Sequence, residues 1–236
     1  MLIRKPESRR DFLLLSTAGF LLGVRRGETS PAQNQEIEVA AVEDLMREHG
    51  ILRRALLVYT EISPKLRSNP SSVAPDALQK TARLFRTFGE DYHEKKLEEP
   101  YIFPAVKKGG GPAATYPDIL VAQHQRGREI TDYIIATMRG GRIGASNAQT
   151  LARVMDEFVL MYRNHAARED TIVFPAWKRT MSPKLYDELS DRFEEIEHQM
   201  FGKDGFEDAE RQMTEIETSL GLGSLAQFTA PPPPKA

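Results

Sequence analysis

Residues 93–106 read HEKKLEEPYIFPAV, and residues 165–177 read HAAREDTIVFPAW. Both stretches begin with a histidine, continue through acidic residues and end with a Phe-Pro pair followed by alanine. The chain contains only five histidines, so two of them in one repeated pattern indicate a shared role. The repeat predicts two equivalent halves, each of which supplies one side of a site that neither half completes alone.

Helical periodicity extends outward from both stretches. Apolar residues recur at helical spacing over residues 36–64, 76–104, 117–140 and 146–175. We expect Pro64 to end the first helix, Pro100 and Pro104 to mark the end of the second, and Pro175 that of the fourth. Two shorter amphipathic segments follow, near residues 183–200 and 206–219. The predicted fold is therefore all-α: an antiparallel up-down-up-down four-helix bundle with one or two extra C-terminal helices.

The first 32 residues have a different character from the rest. A basic start precedes an apolar run over residues 12–24, which as a helix spans about 20 Å, too short for a bilayer core of roughly 30 Å. Residues 8–14, SRRDFLL, resemble the twin-arginine export consensus of bacteria. We therefore expect a periplasmic or exported protein with no stable membrane span in its mature chain. A Sec signal or an uncleaved anchor is the alternative.

The remaining organisation follows from these boundaries. The bundle is predicted over residues 36–180, a C-terminal helical extension over 181–222, and a disordered Pro-rich tail over 223–236. The chain has no cysteine, which excludes disulfides, iron-sulfur clusters and thiolate zinc sites. Its net charge of -2, without a Lys/Arg stripe, gives no support for nucleic-acid binding.

One histidine lies on each predicted bundle helix: His49, His93, His124 and His165. Each lies on or beside the apolar face, and a four-helix bundle brings such side chains to one level. Residues four apart share a helix face, so an acid four residues after a histidine points to the same site. Nitrogen and oxygen donors from four helices suit iron or manganese, and zinc less well.

Taken together, these histidines, the acidic clusters and the two Phe-Pro pairs resemble the hemerythrin-like HHE cation-binding family, over roughly residues 38–178. The resemblance implies a four-helix bundle around a non-haem diiron centre. The terminal ligands that it implies are His49, His93, His124 and His165. The two bridging carboxylates that it implies are Glu98 and Glu169.

The sequence departs from the family pattern at two places. Oxygen-carrying hemerythrins have a second histidine one turn after the one on the third helix, where this chain has Arg128, which argues against reversible oxygen carriage. Glu98 follows its histidine by five residues, whereas Glu169 follows by four. Glu98 therefore reaches the site only if the helix is locally loosened, as in a π-bulge. Glu94 and Asp170 remain alternative carboxylates.

The function implied is binding of dioxygen or a related small molecule, for storage, delivery or sensing, through two non-haem iron ions, with manganese or zinc as alternatives. A diiron oxidase or peroxide-reducing enzyme and a metal-free helical interaction module are the competing hypotheses. Tyr162 either bonds to a bound oxygen species or belongs to the core. Gly127 and Thr131 either leave room for a ligand or permit close packing, and His198 is expected to be a bystander.

Overall fold

The computed structural model describes residues 39–139 and 143–234, and every long element in these ranges is a helix. The predicted export signal, residues 1–32, lies outside the described residues. The α-helices are α1 (Ala41–Ser68), α2 (Pro75–Leu84), α3 (Phe103–Gly109), α4 (Pro117–Thr137), α5 (Ala145–Arg168), α6 (Phe174–Lys178), α7 (Pro183–Phe201) and α8 (Gly205–Ser219). Two π-helical segments, π1 (Phe85–Ile102) and π2 (Glu169–Val173), join α2 to α3 and α5 to α6.

These elements form the predicted all-α, antiparallel four-helix bundle with extra C-terminal helices. Its four members are α1, the continuous run α2–π1–α3, α4, and the continuous run α5–π2–α6. Aromatic rings from three of the four members meet in the core: the ring of Phe158 lies edge-on to Tyr59 at 5.7 Å and to Phe85 at 4.9 Å. Each such fully buried side chain contributes about 1.5–3 kcal/mol through removal of apolar surface from water.

The prediction that Pro64 ends the first helix is wrong, because α1 continues to Ser68 with Pro64 inside it. The missing backbone hydrogen bond is outweighed by packing on both sides of the proline. Leu66, two residues after Pro64, is fully buried. The Ser63 hydroxyl also donates to the Ala152 carbonyl at 2.8 Å, which ties this turn to α5.

The prolines of the two repeated stretches do not end their helices either. Pro104 and Pro175 occupy the first turns of α3 and α6, which continue to Gly109 and Lys178. Proline is tolerated in a first turn because its φ angle is already helical. The first of these helices ends where Gly110 adopts a φ of 71°, which favours glycine. The predicted stop of α4 at residues 140–141 lies outside the described residues.

The expected loosening between His93 and Glu98 is confirmed, and it extends farther than a single bulge. Segment π1 covers 18 residues. At its end, the Phe103 N–H donates to the Glu98 carbonyl, and at the end of π2 the Phe174 N–H donates to the Glu169 carbonyl. Both bonds join residues five apart, so Glu98 and Glu169 occupy equivalent positions in the two halves.

The C-terminal extension packs against α1. The Tyr186 hydroxyl accepts a hydrogen bond from the Val42 N–H at 2.9 Å, at the start of α1. Farther along, Arg54 donates two hydrogen bonds to the Glu217 carboxylate, at 3.0 and 2.6 Å. The left-handed Gly202 (φ 68°) makes the turn between α7 and α8.

The last described residues form one 3-10 turn, Leu225–Phe228, and are exposed; the disorder expected over 223–236 stays a prediction. Within the described ranges, no helix has the length and apolar character that crossing a membrane requires.

Candidate metal centre

The four histidines predicted from the sequence meet in the middle of the bundle. All four are at most 3% exposed, and they come together as two pairs. The Nε2 atoms of His49 and His93 are 3.1 Å apart, and those of His124 and His165 are also 3.1 Å apart. Each pair comes from one half of the sequence repeat.

The two predicted carboxylates each span the gap between the pairs. Glu98 places Oε1 3.3 Å from His93 Nε2 and Oε2 3.3 Å from His124 Nε2. Glu169 places Oε1 2.9 Å from His165 Nε2 and Oε2 3.5 Å from His49 Nε2. Each glutamate therefore directs one oxygen to the histidine of its own half and the other oxygen to the opposite half.

The carboxylates of Glu98 and Glu169 face only the four histidine rings. Glu98 and Glu169 are both 0% exposed, and none of their four oxygens has a hydrogen-bond partner among the described residues. Burial of an ionised carboxylate is costly unless it is paired or coordinates a metal. The donor set of four imidazole nitrogens and four carboxylate oxygens fits two cations of the iron or manganese type.

The other ring nitrogen of each histidine has an oxygen acceptor. The pairs are His49 Nδ1 with Asp170 at 2.6 Å, His93 Nδ1 with Glu48, His124 Nδ1 with Glu99 at 3.0 Å, and His165 Nδ1 with Gln123 at 2.9 Å. An oxygen acceptor at Nδ1 places the ring proton there, because a carboxylate can only accept. The lone pair of each Nε2 therefore faces the centre, as metal ligation requires.

These acceptors follow the two-fold pattern of the repeat. Glu48 and Gln123, each directly before a histidine, bond to the second histidine of their own half. Glu99 and Asp170, each directly after a spanning glutamate, bond to a histidine of the opposite half. Asp170 therefore orients His49 rather than spanning the two pairs. Sequence analysis missed Glu48, Glu99 and Gln123, although their adjacency to the predicted residues was the available signal.

The electrostatics of the metal-free centre favour added positive charge. Burial by itself lowers the pKa of His124, but Glu94, Glu98 and Glu99 outweigh it and raise that pKa to about 10. Burial likewise raises the pKa of Glu169, but His165 and His49 outweigh it and hold that pKa well below its usual range. The pKa values of His49 and His93 are also raised, so protons on these three imidazoles supply positive charge when no metal does, and a metal ion must displace them.

Glu94, the other alternative carboxylate, lies beside the centre and has partners of its own. Its Oε1 accepts from the Tyr162 hydroxyl at 2.7 Å, and its Oε2 accepts from Arg128 at 3.0 Å. Arg128 also donates to Glu99, which in turn accepts from His124. At the place where an oxygen carrier has an imidazole, this chain therefore has a guanidinium that neutralises two acids beside the centre.

Gly127 makes room for Tyr162 and not for a small ligand. A Cβ atom at Gly127 would lie 2.8 Å from Tyr162 Cζ and closer still to its hydroxyl. Thr131 donates to Glu90 at 2.6 Å, so it too belongs to the packing between α4 and π1. His198 is exposed on α7, whereas the other four histidines are buried.

A small cavity of about 10 Å³ opens beside the centre, close to the smallest space that holds one water-sized molecule. His49, His93, His165 and Glu98 line it on the side of the centre. The remaining wall is formed by Leu52, Arg53, Leu56, Glu94, Tyr162 and Ala166. The centre is therefore accessible to a ligand of very few atoms, mainly beside the His49–His93 pair.

Comparison with known proteins agrees with a cation-binding helical domain. The sequence profile described as "Hemerythrin HHE cation binding domain" matches residues 40–177. Uncharacterized proteins of Mycobacterium tuberculosis and Mycobacterium bovis are 42% identical over 208 residues, covering 88% of this chain and 80% of theirs. No solved structure matches the chain significantly.

Proposed function

Because the chain belongs to the hemerythrin HHE cation-binding family, we propose that this metal-binding helical protein holds two iron ions and binds dioxygen or a related small molecule. The role would be storage, delivery or sensing. The observation that carries the proposal is the set of four unsatisfied carboxylate oxygens, fully buried among four imidazole Nε2 atoms. In a metal-free interaction module, only protons on the surrounding imidazoles would compensate these buried charges.

The ligand atoms form one group of Glu98, His124, His165 and Glu169 and a second group of His49, His93 and Glu98, with Glu169 Oε2 3.5 Å from His49 Nε2. One ion would be held by His49 and His93 with one oxygen from each glutamate, Glu98 and Glu169. The other would be held by His124 and His165 with the second oxygen of each glutamate. Four protein donors complete a tetrahedral zinc site, whereas iron and manganese accept further ligands. Iron or manganese is therefore favoured if the protein binds a small molecule.

A bound ferrous pair would supply the electrons that dioxygen takes up. The chain's own side chains hold the ligand beside His49 and His93, where Leu52 and Leu56 form apolar wall that excludes bulk water. Glu94 lies in the same wall and holds the Tyr162 hydroxyl proton in a hydrogen bond at its Oε1. These contacts restrict the ligand to a few atoms and keep a proton source near it.

Glu94 and Tyr162, the polar part of the cavity wall, also favour the second candidate function, a diiron oxidase or peroxide-reducing enzyme. Such an enzyme needs protons at the reacting ligand, and Tyr162 and Arg128 both donate to Glu94 beside the cavity. Sustained turnover of hydrogen peroxide would favour the enzyme, whereas stoichiometric ligand binding favours storage, delivery or sensing.

Metal content per chain, measured by elemental analysis on protein from iron-supplied cells, tests the proposal. We expect about two iron ions per chain in the parent protein and strong loss in a Glu98→Ala, Glu169→Ala variant. His198→Ala is the matched control, since that histidine is exposed, and should keep the parent content. A folded parent protein without metal would overturn the proposal. If iron is present, an absorption change when dioxygen meets the ferrous protein tests ligand binding.

We further propose that the protein acts in the cell envelope. The support is the twin-arginine resemblance of residues 8–14. Fusion of residues 1–38 to a reporter that is active only outside the cytoplasm tests it, and replacement of Arg9 and Arg10 by Lys should abolish export. Export that survives this replacement would count against the twin-arginine route.

A further inference from the structure

A groove of about 690 Å³ lies at the end of the bundle where the two Phe-Pro segments face each other. Helices α3 and α6 form two of its sides and α7 forms the third, through residues such as Val106, Ala176, Leu185 and Leu189. Its size falls in the range of small-molecule sites, about 300–1,000 Å³. None of the proposed metal ligands lines it.

The groove is lined by apolar side chains and by two positively charged side chains that have no acidic partner among the described residues. Lys108 and Arg179 contribute to the wall, and both are exposed. Within residues 39–139 and 143–234, neither has an acidic partner, and no acidic residue lines the groove. By contrast, the neighbouring Lys107 is paired with Asp118 at 2.7 Å. An anionic group is therefore the complement of this edge of the groove.

The chain's single tryptophan, Trp177, lies beside the groove. Its side chain is 0% exposed and lines the groove, with its ring stacked on Phe193 at 5.6 Å. The indole N–H is buried and has no acceptor among the described residues.

We propose that this groove binds a small amphipathic anion, namely a carboxylic acid with an unbranched apolar chain. The carboxylate lies near Lys108 and Arg179, and the apolar chain lies along Val106, Ala176 and Leu189. Apolar walls with a few convergent polar groups are the usual composition of such sites. This site is separate from the metal centre and does not depend on which metal that centre holds.

The chain contains a single tryptophan, and its side chain lines this groove, so its fluorescence reports on a quencher bound there. The probe is 10-bromodecanoate, whose terminal bromine quenches tryptophan emission only at contact distance. We expect saturable quenching of Trp177 when the full-length protein is titrated with this acid. The neutral alcohol 10-bromodecan-1-ol should quench at least about fivefold more weakly, because it lacks the charge that Lys108 and Arg179 attract.

Charge reversal distinguishes the proposed site from unspecific binding. Lys108→Glu with Arg179→Glu should weaken the apparent affinity about tenfold, since two attractive contacts become repulsive. The matched control is Lys65→Glu with Arg139→Glu, which makes the same charge change at exposed residues outside the groove. Ala105→Phe, which fills the groove, should abolish quenching while circular dichroism stays unchanged.

Three results would overturn the proposal. The first is the absence of saturable quenching in the parent protein. The second is equal affinity for the acid and the alcohol. The third is an equal loss of affinity in the groove variant and in the control variant.

Discussion

Replacement of Gly127 by alanine tests the contact that connects α4 to the polar wall of the cavity. The new Cβ would collide with the Tyr162 ring, 2.8 Å from Cζ, and push the hydroxyl away from Glu94. Alanine gains about 1 kcal/mol over glycine in a helix interior. Overpacking costs about 1–3 kcal/mol, and loss of a hydrogen bond to a charged group about 1.5–3 kcal/mol. The net expectation is a loss of about 1.5–5 kcal/mol in the free energy of unfolding.

Urea unfolding followed by circular dichroism measures this loss, with Gly50→Ala as the matched control. Gly50 also lies inside a helix, but an added Cβ meets nothing within 4 Å, so we expect that variant to be equal or more stable. In a Tyr162→Phe background, Gly127→Ala should lower the free energy of unfolding by at least about 1 kcal/mol less than it does in the parent protein. The reason is that phenylalanine lacks the hydroxyl oxygen, which is the atom closest to the added Cβ. If Gly127→Ala is as stable as Gly50→Ala, the tyrosine does not pack against Gly127 as described.

Three further predictions concern the centre and the extension. Glu48→Ala should lower iron affinity about 10–100-fold in a chelator competition, because it frees the Nδ1 of His93; unchanged affinity would contradict its orienting role. Stability of the chelated protein should fall as the pH rises above about 6.5, because the folded-state pKa of His124, about 10, exceeds its ordinary value of 6.5 and the folded state then binds more protons. Denaturant unfolding across pH 6–9, with iron as the comparison, measures this, and a rise in stability with pH would refute it. A double-mutant cycle on Arg54 and Glu217 should give a coupling of about 1 kcal/mol for this partly buried two-bond pair; zero coupling would mean that it does not hold α8 on the bundle.

The bundle was predictable because its helices follow one apolar periodicity, but helix ends at proline were not. Pro64, Pro104 and Pro175 read locally as stops, yet each lies inside or at the start of a helix. At Pro64 the chain stays helical with Leu66 buried, and the Ser63 hydroxyl bonds to Ala152, which is distant in sequence. Local propensity therefore located the helices but not their ends.

The site was predictable to the extent that the sequence repeats. The repeat brought out the four histidines and the two glutamates, and the structure places all six together; their role as ligands stays a prediction. The partners of the ring nitrogens were not predictable, since Glu99 and Asp170 act across the halves of the repeat. Such contacts follow from how the two halves face each other, which spacing along the chain does not specify.

The backbone hydrogen bonds from Phe103 to Glu98 and from Phe174 to Glu169 each join residues five apart. This spacing matters when the sequences of relatives are aligned. Each of these two turns holds one residue more than an α turn, so deletion of one residue there would tighten that turn. A gap in an alignment between either glutamate and its Phe-Pro pair would thus mark a protein that keeps the bundle but has rebuilt its centre. Insertions and deletions at these two turns, more than substitutions, would then separate relatives that share the metal chemistry from those that share only the scaffold.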